Sequence, residues 1–342
     1  MEKRKFGNYC IENVLAEGAM GIVYKAQDPN GNHVAIKALK NLEGSEKIKQ
    51  RFRQEIRITN NLLHPNVVIP LHFEMEPVPF IVFEFIDGIS LAKAMMGKDW
   101  LGFEDVVNIV EQIGLGLKYV HDLGVVHGDL KPKNIMLTKD NQNKTLVKIV
   151  DFGISNIKTS LVKFGDRFRV RENDNERDGV FGTPGYICPE LFSSPELAET
   201  IPADLFSFGV IAHELMTRTT PFPGRAASRT LALPVVANFS DEFQKVLLKM
   251  LAKDPAQRYT TALDFIEAID TLFRSPSFAK SWGRYIFDKM REEASGEHVS
   301  YNTKDLQDWE KEWEPYFSPT QTLPLQGFWD EETIKDPWQP DD

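Results

Sequence analysis

The first part of the chain alternates apolar and polar positions in short runs that are typical of β-strands. Three such runs, YCIENVLA, GIVYKAQD and HVAIKAL, lie between Tyr9 and Leu39, separated by glycine-rich or Asn-Gly turns. The Asn30-Gly31 dipeptide is the clearest hairpin signal, because a tight hairpin turn needs residues that accept a positive φ. The pattern predicts an antiparallel meander.

One helix and two more strands complete this first predicted unit. From Glu46 to Leu63 apolar residues recur at helical spacing, and His64-Pro65 ends the pattern. The runs VVIPLHFEM and PFIVFEF then predict two strands before Asp87-Gly88. A single main helix therefore lies among strands.

Beyond Asp87-Gly88 the pattern becomes helical, most clearly from Phe103 to Leu123. The change predicts an α+β fold with two lobes, a small β-rich lobe with one main helix over residues 1–86 and a larger helical lobe over residues 87–274. The cleft between the lobes is the candidate site. Residues 275–342 contain five of the six tryptophans among many acids and prolines, and we treat them as a separate acidic tail.

The amino-acid composition and the net charge mainly exclude classes of binding partner. Hydrophobic residues make up 42% of the 342 residues and charged residues 26%, as in globular proteins. The net charge of −10 disfavours nucleic acid and anionic membrane surfaces. The two cysteines, Cys10 and Cys188, form neither a disulfide framework nor a zinc-ligand pattern. No stretch reaches the roughly 18 apolar residues of a membrane span, so we expect a cytoplasmic protein that contacts neither nucleic acid nor membrane.

Four short motifs follow one another along the chain. They are the turn AEGAMGIV starting at Ala16, the strand VAIK ending at Lys37, the loop HGDLKPKN starting at His127, and DFG starting at Asp151 after the apolar run LVKIV. With the later motifs GTPGY and CPE, they resemble the signature motifs of protein kinases. The resemblance covers residues 9 to 274, and GAMGIVYKAQD with GTPGY is similar to the bacterial Hanks-type serine/threonine kinases.

The resemblance implies an ATP site between the lobes. The glycine-rich loop closes over the phosphates, Lys37 contacts them and pairs with Glu55, and the backbone from Glu84 to Ile86 binds the adenine edge. Phe83 restricts the space behind the adenine. The residues that the resemblance assigns to the nucleotide are Ala16, Gly18, Gly21, Val23, Ala35, Lys37, Glu55, Glu84, Ile86, Asn134 and Asp151.

The resemblance also assigns the chemistry. Asp129 orients the acceptor hydroxyl, Lys131 contacts the transferring phosphate, and Asn134 and Asp151 bind Mg²⁺, or alternatively Mn²⁺. Lysine two residues beyond the catalytic aspartate is the serine/threonine kinase pattern. We therefore expect transfer of the γ-phosphoryl group of ATP to serine and threonine hydroxyls of protein substrates and of the chain itself.

Other positions in the motifs imply structural roles or changed regulation. Glu190 is expected to pair with Arg258, and Asp204 is expected to brace the catalytic loop. Ala16 stands where the first glycine of the glycine-rich loop is usual. Gly128 stands where many kinases carry an arginine that binds a phosphate on the activation loop, so we expect activity without activation-loop phosphorylation.

Two other functions remain open at this stage. The His-Gly-Asp sequence also occurs in small-molecule phosphotransferases of the aminoglycoside kinase type. A pseudokinase scaffold, the second alternative, would bind nucleotide without turnover. Lys131 and the GTPGY and CPE motifs disfavour the first, and the complete set of catalytic and metal-binding residues disfavours the second.

Two further segments are candidates for contact with partners. The loop from Lys158 to Arg177 is either a solvated charged loop or a contact for substrate, with Thr159 and Ser160 as candidate autophosphorylation sites. In the tail, Leu306, Trp309 and Trp313 define one apolar helix face. We expect this face to pack on the chain's own C-lobe, or otherwise to bind a protein partner.

Overall fold

The computed structural model describes residues 5–17, 21–39, 56, 59, 62–75, 78–96, 101–152, 185–192, 200–222 and 240–274. Nine strands and five α-helices have their bounds within these ranges. The strands are β1 (Lys5–Phe6), β2 (Tyr9–Glu17), β3 (Gly21–Gln27), β4 (His33–Leu39), β5 (Pro70–Glu74), β6 (Phe80–Glu84), β7 (Ile89–Ser90), β8 (Ile135–Lys139) and β9 (Thr145–Ile149). The helices are α1 (Leu91–Met95), α2 (Phe103–Asp122), α3 (Ile201–Thr217), α4 (Asp241–Met250) and α5 (Ala262–Phe273).

Six of the strands form one antiparallel sheet in the order β1-β2-β3-β4-β6-β5. The sheet curls, because the ring of Tyr9 on β2 lies 6.2 Å from that of His72 on β5 although three strands separate them in the sheet. Tyr24, Ile36 and Phe80 are buried in its interior. The alternation read from the sequence thus becomes a curled sheet with one apolar face.

The predicted hairpin at Asn30-Gly31 joins β3 to β4. Gly31 has a φ of +87°, and its N–H donates to the carbonyl of Asp28 at 3.0 Å. The Asp28 carboxylate accepts the N–H groups of Asn30 and Asn32 at 2.9 and 2.8 Å. This prediction is confirmed, and the aspartate supplies the acceptors that hold the turn closed.

The other N-terminal predictions hold with shifted bounds. The run VVIPLHFEM yields only β5, which begins at Pro70. Of the predicted helix from Glu46 to Leu63, Ile56 and Thr59 are helical, while Leu62 and Leu63 are not. The helix therefore ends earlier than its apolar pattern suggested, and the rest of it lies outside the described residues.

The helical lobe is built around α2, which spans the predicted segment almost completely. Ile109, Ile113 and Leu117 are fully buried along one face of α2. Gly114 lets α2 approach α5, because a Cβ at this position would lie 2.3 Å from the Ile266 side chain. Within the described residues, no helix is long and apolar enough to cross a bilayer.

A second sheet has the order β7-β8-β9, and the segment before β5 bonds to its last strand. Val67, from the segment before β5, forms a parallel bridge with Ile149 at the end of β9. The Val68 N–H donates to the carbonyl of Ile149 at 2.9 Å, and the Ile149 N–H donates to that of Asn66 at 2.8 Å. These bonds fix the strand that leads into Asp151.

The predicted boundary at residue 86 falls between β6, which ends at Glu84, and β7, which begins at Ile89. The three domain ranges, 1–86, 87–274 and 275–342, stay predictions. Residues 275–342, with the tryptophan-containing face, lie outside the described residues.

Candidate active site

Lys37 and Asp151 form an ion pair across the candidate cleft. Lys37 lies on β4, and its Nζ is 2.8 Å from Oδ1 of Asp151, which follows β9. The Lys37 ammonium, joined by smaller contributions from His127 and Lys131, holds the pKa of Asp151 below its usual value against the opposing effect of desolvation. Asp151 has a φ of +60°, an unusual backbone conformation for a residue other than glycine. An ionised carboxylate is thus held in the cleft.

The catalytic-loop residues form a second cluster around Asp129. Lys131 Nζ lies 2.6 Å from Asp129 Oδ2. Asn134 Nδ2 donates to the Asp129 carbonyl at 2.9 Å and lies 3.4 Å from its Oδ2. A 3₁₀ turn over Pro132–Asn134 folds the loop back so that these contacts form. The Val150 N–H donates to the Asn134 carbonyl at 2.9 Å, which connects this loop to Asp151.

Asp204 of α3 is buried, at 1% exposure, and stabilises the catalytic loop. Its carboxylate accepts the backbone N–H of His127 at 2.6 Å and that of Gly128 at 2.8 Å. The His121 ring contacts the same carboxylate through Nε2 at 2.9 Å. The expected bracing role of Asp204 is confirmed in these contacts.

His127 has a packing role rather than a place in the cleft. It is fully buried, its ring centroid lies 4.9 Å from that of Phe152, and its Nε2 lies 3.1 Å from the Val150 carbonyl. The ring therefore fastens the segment around Asp151 to the catalytic loop. Gly153, the last residue of the DFG motif, lies outside the described residues.

Further residues predicted to bind the nucleotide lie on four adjoining strands, β2, β3, β4 and β6, or directly after them. Ala16 pairs with Val23 across β2 and β3, and Ala35 pairs with Phe83 across β4 and β6. Glu84 ends β6, and Ile86 follows it in the connection to β7. Of the same predicted set, Gly18 and Glu55 lie outside the described residues.

The glycine-rich turn keeps one position that needs glycine on steric grounds. A Cβ at Gly21 would lie 2.6 Å from the carbonyl oxygen of Ala38, closer than real Cβ contacts come. Gly21 therefore permits β3 to lie against β4 at the mouth of the cleft.

The segment beyond the activation loop is fixed to α3. The Tyr186 hydroxyl donates to Glu214 Oε2 at 2.6 Å, and the Ser207 hydroxyl donates to the Tyr186 carbonyl at 2.8 Å. Gly185 beside it has a φ of +105°. Thr183 lies outside the described residues. Gly185 and Tyr186, the end of the GTPGY motif, are therefore fixed against α3, the helix that also carries Asp204.

The oxygen donors of the cleft suit a hard divalent cation. Asp151 supplies a carboxylate, and the Asn134 amide oxygen is left as an acceptor because its Nδ2 donates to Asp129. No group of three or more His, Cys, Asp or Glu side chains that could hold a metal occurs among the described residues. One or two carboxylates with water and substrate phosphates are the usual ligands of Mg²⁺. The donor set therefore fits a magnesium ion held together with a nucleotide.

Sequence reasoning missed one buried charge next to the site. Lys148 on β9 is 6% exposed, and its Nζ lies 2.6 Å from Glu84 Oε1. The only sequence signal is a single lysine inside the apolar run LVKIV. A half-buried strand can carry such a lysine facing solvent, so the pattern alone does not reveal its partner.

Comparison with known proteins identifies the family. Residues 9–271 match the family model of the protein kinase domain. Pkn1 of Myxococcus xanthus, a serine/threonine-protein kinase, is 32% identical over 278 residues, covering 77% of this chain and 38% of Pkn1. PrkC of Bacillus subtilis, also a serine/threonine-protein kinase, is 30% identical over 284 residues, covering 79% of this chain and 41% of PrkC. This chain spans less than two thirds of the length of these relatives.

A solved structure supports the fold. The chain is similar to a double mutant of the PknI kinase domain of Mycobacterium tuberculosis, with a TM-score of 0.59 and 24% sequence identity, covering 79% of this chain and 97% of that one. The expected α+β bilobal kinase fold is confirmed by this likeness and by the family match. The relatives named above are bacterial serine/threonine-protein kinases, and the chain itself belongs to the protein kinase family.

Proposed function

We propose that the chain transfers the γ-phosphoryl group of ATP to serine and threonine hydroxyls of proteins. The observation that carries the proposal is the pair of linked clusters in the cleft, Asp129 with Lys131 and Asp151 with Lys37, joined through Asn134. A proton acceptor, a phosphate-binding cation and metal ligands are the parts that phosphoryl transfer needs.

The nucleotide would lie between the lobes with its adenine against the backbone from Glu84 to Ile86. Lys37 would bind its phosphates, and Asp151 and Asn134 would hold Mg²⁺, which neutralises phosphate charge when bound. The Lys37–Asp151 pair lowers the pKa of Asp151, so this carboxylate is ionised and suited to bind a cation. Glu55 is proposed as a further partner of Lys37.

The acceptor hydroxyl would bind beside Asp129. Its oxygen forms the new bond to the γ-phosphorus as the bond to the ADP oxygen breaks, and Asp129 orients the hydroxyl and accepts its proton. Lys131, already 2.6 Å from Asp129, supplies positive charge for the transferring group. The short distance between Asp129 and Lys131 supports the proposal that the acceptor hydroxyl and the transferring phosphate bind next to each other.

Protein acceptors are favoured over small molecules. Tyr186 is bonded to Glu214 of α3, which fixes the end of the GTPGY motif, the segment that the resemblance to protein kinases assigns to peptide docking. The relatives named as serine/threonine-protein kinases support the same acceptor class. We further propose a cytoplasmic location and a tail that binds the chain's own C-lobe or a protein partner, with no nucleic-acid partner.

The test is transfer of labelled γ-phosphate from ATP to the chain and to a generic basic protein. With Mg²⁺ we expect label on serine and threonine, and with a chelator in place of Mg²⁺ we expect none. Nucleotide binding without any transfer would favour a pseudokinase. Transfer to small molecules alone would favour a small-molecule phosphotransferase.

Activity is expected to be independent of activation-loop phosphorylation. Gly128 has a φ of +75° and offers only its N–H, which donates to Asp204 at 2.8 Å, so no side chain at this position can bind a loop phosphate. The alanine triple variant of Ser155, Thr159 and Ser160, which lie outside the described residues, should therefore keep the wild-type transfer rate after phosphatase treatment. A large loss of rate in this variant would contradict the prediction.

A further inference from the structure

Lys148 is a buried cation with one carboxylate partner. Its side chain is 7% exposed, and its Nζ lies 2.6 Å from Oε1 of Glu84, whose side chain is 27% exposed. The Val67 carbonyl lies 3.4 Å from the same Nζ. A buried ammonium is costly unless it is paired, so the position of Glu84 is coupled to that of Lys148.

The Glu84 carboxylate also joins a third segment to this pair. Its Oε1 accepts the N–H of Ile69 at 2.9 Å, and the Ile69 carbonyl accepts the N–H of Glu84 at 3.0 Å. The end of β6, the segment before β5 and strand β9 therefore meet at one carboxylate oxygen. Burial, with a smaller contribution from Lys148, lowers the pKa of His64 nearby to about 4, so this histidine is neutral at pH 7 and does not compete for Glu84.

The Lys148–Glu84 ion pair links the two parts of the chain that are proposed to bind opposite ends of the nucleotide. Glu84 begins the backbone segment proposed to bind the adenine edge, and Lys148 lies three residues before Asp151 on the same extended segment. A change in the separation of these two strands would move the base-binding backbone relative to the metal-binding carboxylate. The ion pair therefore contributes, together with the backbone bonds of residues 66–69, to the separation of these two strands.

We propose that the Lys148–Glu84 ion pair is a positioning pair that sets the affinity of the site for adenine nucleotides. Neither side chain needs to touch the nucleotide for this role. The inference rests on the proposed binding of ATP between the lobes, and it assigns a function to a buried lysine outside the kinase motifs.

Three variants test the pair. Lys148→Met keeps the aliphatic stem and removes the charge, Glu84→Gln keeps the acceptor for the Ile69 N–H, and the double variant removes both charges. We expect each single variant to weaken ADP binding, measured by calorimetry without metal, and to raise the KM for ATP by about tenfold, equivalent to about 1.4 kcal/mol. The KM for the protein acceptor should not change. The double variant should bind more tightly than the two single effects combined predict, because neither charge is left unpaired.

Val147→Ala is the matched control. Val147 is fully buried in the core and is the neighbour of Lys148 on β9, so its truncation lowers stability without removing either member of the ion pair. We expect this variant to bind ADP as the wild type does. If Lys148→Met or Glu84→Gln lowers the melting temperature but binds ADP with wild-type affinity, the role is structural and the proposal is wrong.

The same measurements separate this inference from the proposed function. A wild-type chain that binds no ADP overturns the proposed ATP site and the inference with it. A wild-type chain that binds ADP, with variants that bind equally well, overturns the inference alone. If Lys148→Met does not fold, Glu84→Gln decides, because it changes one atom of a side chain that is partly exposed.

Discussion

Replacing Asp129 with asparagine should lower the rate of phosphoryl transfer by about 10²- to 10⁴-fold, the usual cost of losing a general base. Asparagine has nearly the same shape but cannot accept the hydroxyl proton, and it leaves Lys131 without its ionic partner. The bond from Asn134 to the Asp129 backbone carbonyl does not depend on this side chain. We therefore expect a folded protein that binds nucleotide and turns over slowly.

The measurement is single-turnover transfer of labelled phosphate at saturating ATP, with nucleotide affinity determined separately. Asp122→Asn is a suitable control, because Asp122 is 60% exposed at the end of α2 and its carboxylate pairs, among the described residues, with Lys118 one turn earlier. Exposed ion pairs of this kind contribute little to stability. The proposed role of Asp129 would be wrong if Asp129→Asn kept a rate close to that of Asp122→Asn.

The spacing of short motifs allowed much of the cleft to be predicted. Each motif contains its own geometry: the 3₁₀ turn that folds Asn134 back on Asp129 lies within one octapeptide, and β9 leads directly into Asp151. Side chains that act within a few residues of one another can be placed from local sequence. The contact between Lys37 and Asp151 joins two such motifs across the lobes.

Contacts between distant segments that lack a motif could not be predicted. The Asn66 amide donates to Gln112 on α2 at 2.7 Å and to the Val147 carbonyl at 3.0 Å, and Lys148 meets Glu84 across 64 residues. These side chains are polar, and a sequence pattern places polar residues at the surface. Their burial follows from the way the segment before β5 packs between β9 and α2, which is a property of the tertiary fold.

The same limit explains the wrong bounds in the N-terminal lobe. Val67 and Val68 read as the start of a strand, but the Val67 N–H donates to the carbonyl of His64 and the Val68 N–H to that of Ile149, and neither donates to β6. Strand β5 therefore begins only at Pro70. An apolar run predicts that residues are buried, whereas the partner of each backbone group is decided by the segments that pack around it.

Replacing Arg258 with methionine should lower the free energy of unfolding by about 3–5 kcal/mol, the typical cost of breaking a buried ion pair from one side. Its two terminal nitrogens donate to the two Glu190 oxygens, each at 2.6 Å, and the two side chains are 0% and 7% exposed. Two of the remaining donors reach the carbonyls of Ala252 at 2.9 Å and Pro202 at 2.7 Å. The methionine variant leaves all of these acceptors buried.

Chemical denaturation of the variant would give this difference directly. Arg274→Met is the control, since Arg274 is 51% exposed, pairs with Asp270 one turn away and should cost less than about 1 kcal/mol. A double variant, Arg258→Met with Glu190→Gln, should recover part of the loss, because it removes the unpaired charge. Equal stability of Arg258→Met and Arg274→Met would contradict the prediction.

The expected loss also determines how activity data from this region should be interpreted. Domains are stable by only about 5–15 kcal/mol, so a loss of 3–5 kcal/mol leaves part of such a protein unfolded near its working temperature. Glu190 follows Tyr186 by four residues, and the Tyr186 carbonyl accepts the Ser207 hydroxyl of α3, the helix that also carries Asp204. Lower transfer by Arg258→Met would therefore be expected without any contact between Arg258 and substrate. Transfer per folded molecule, rather than per total protein, distinguishes this structural effect from the chemical effect expected of Asp129→Asn.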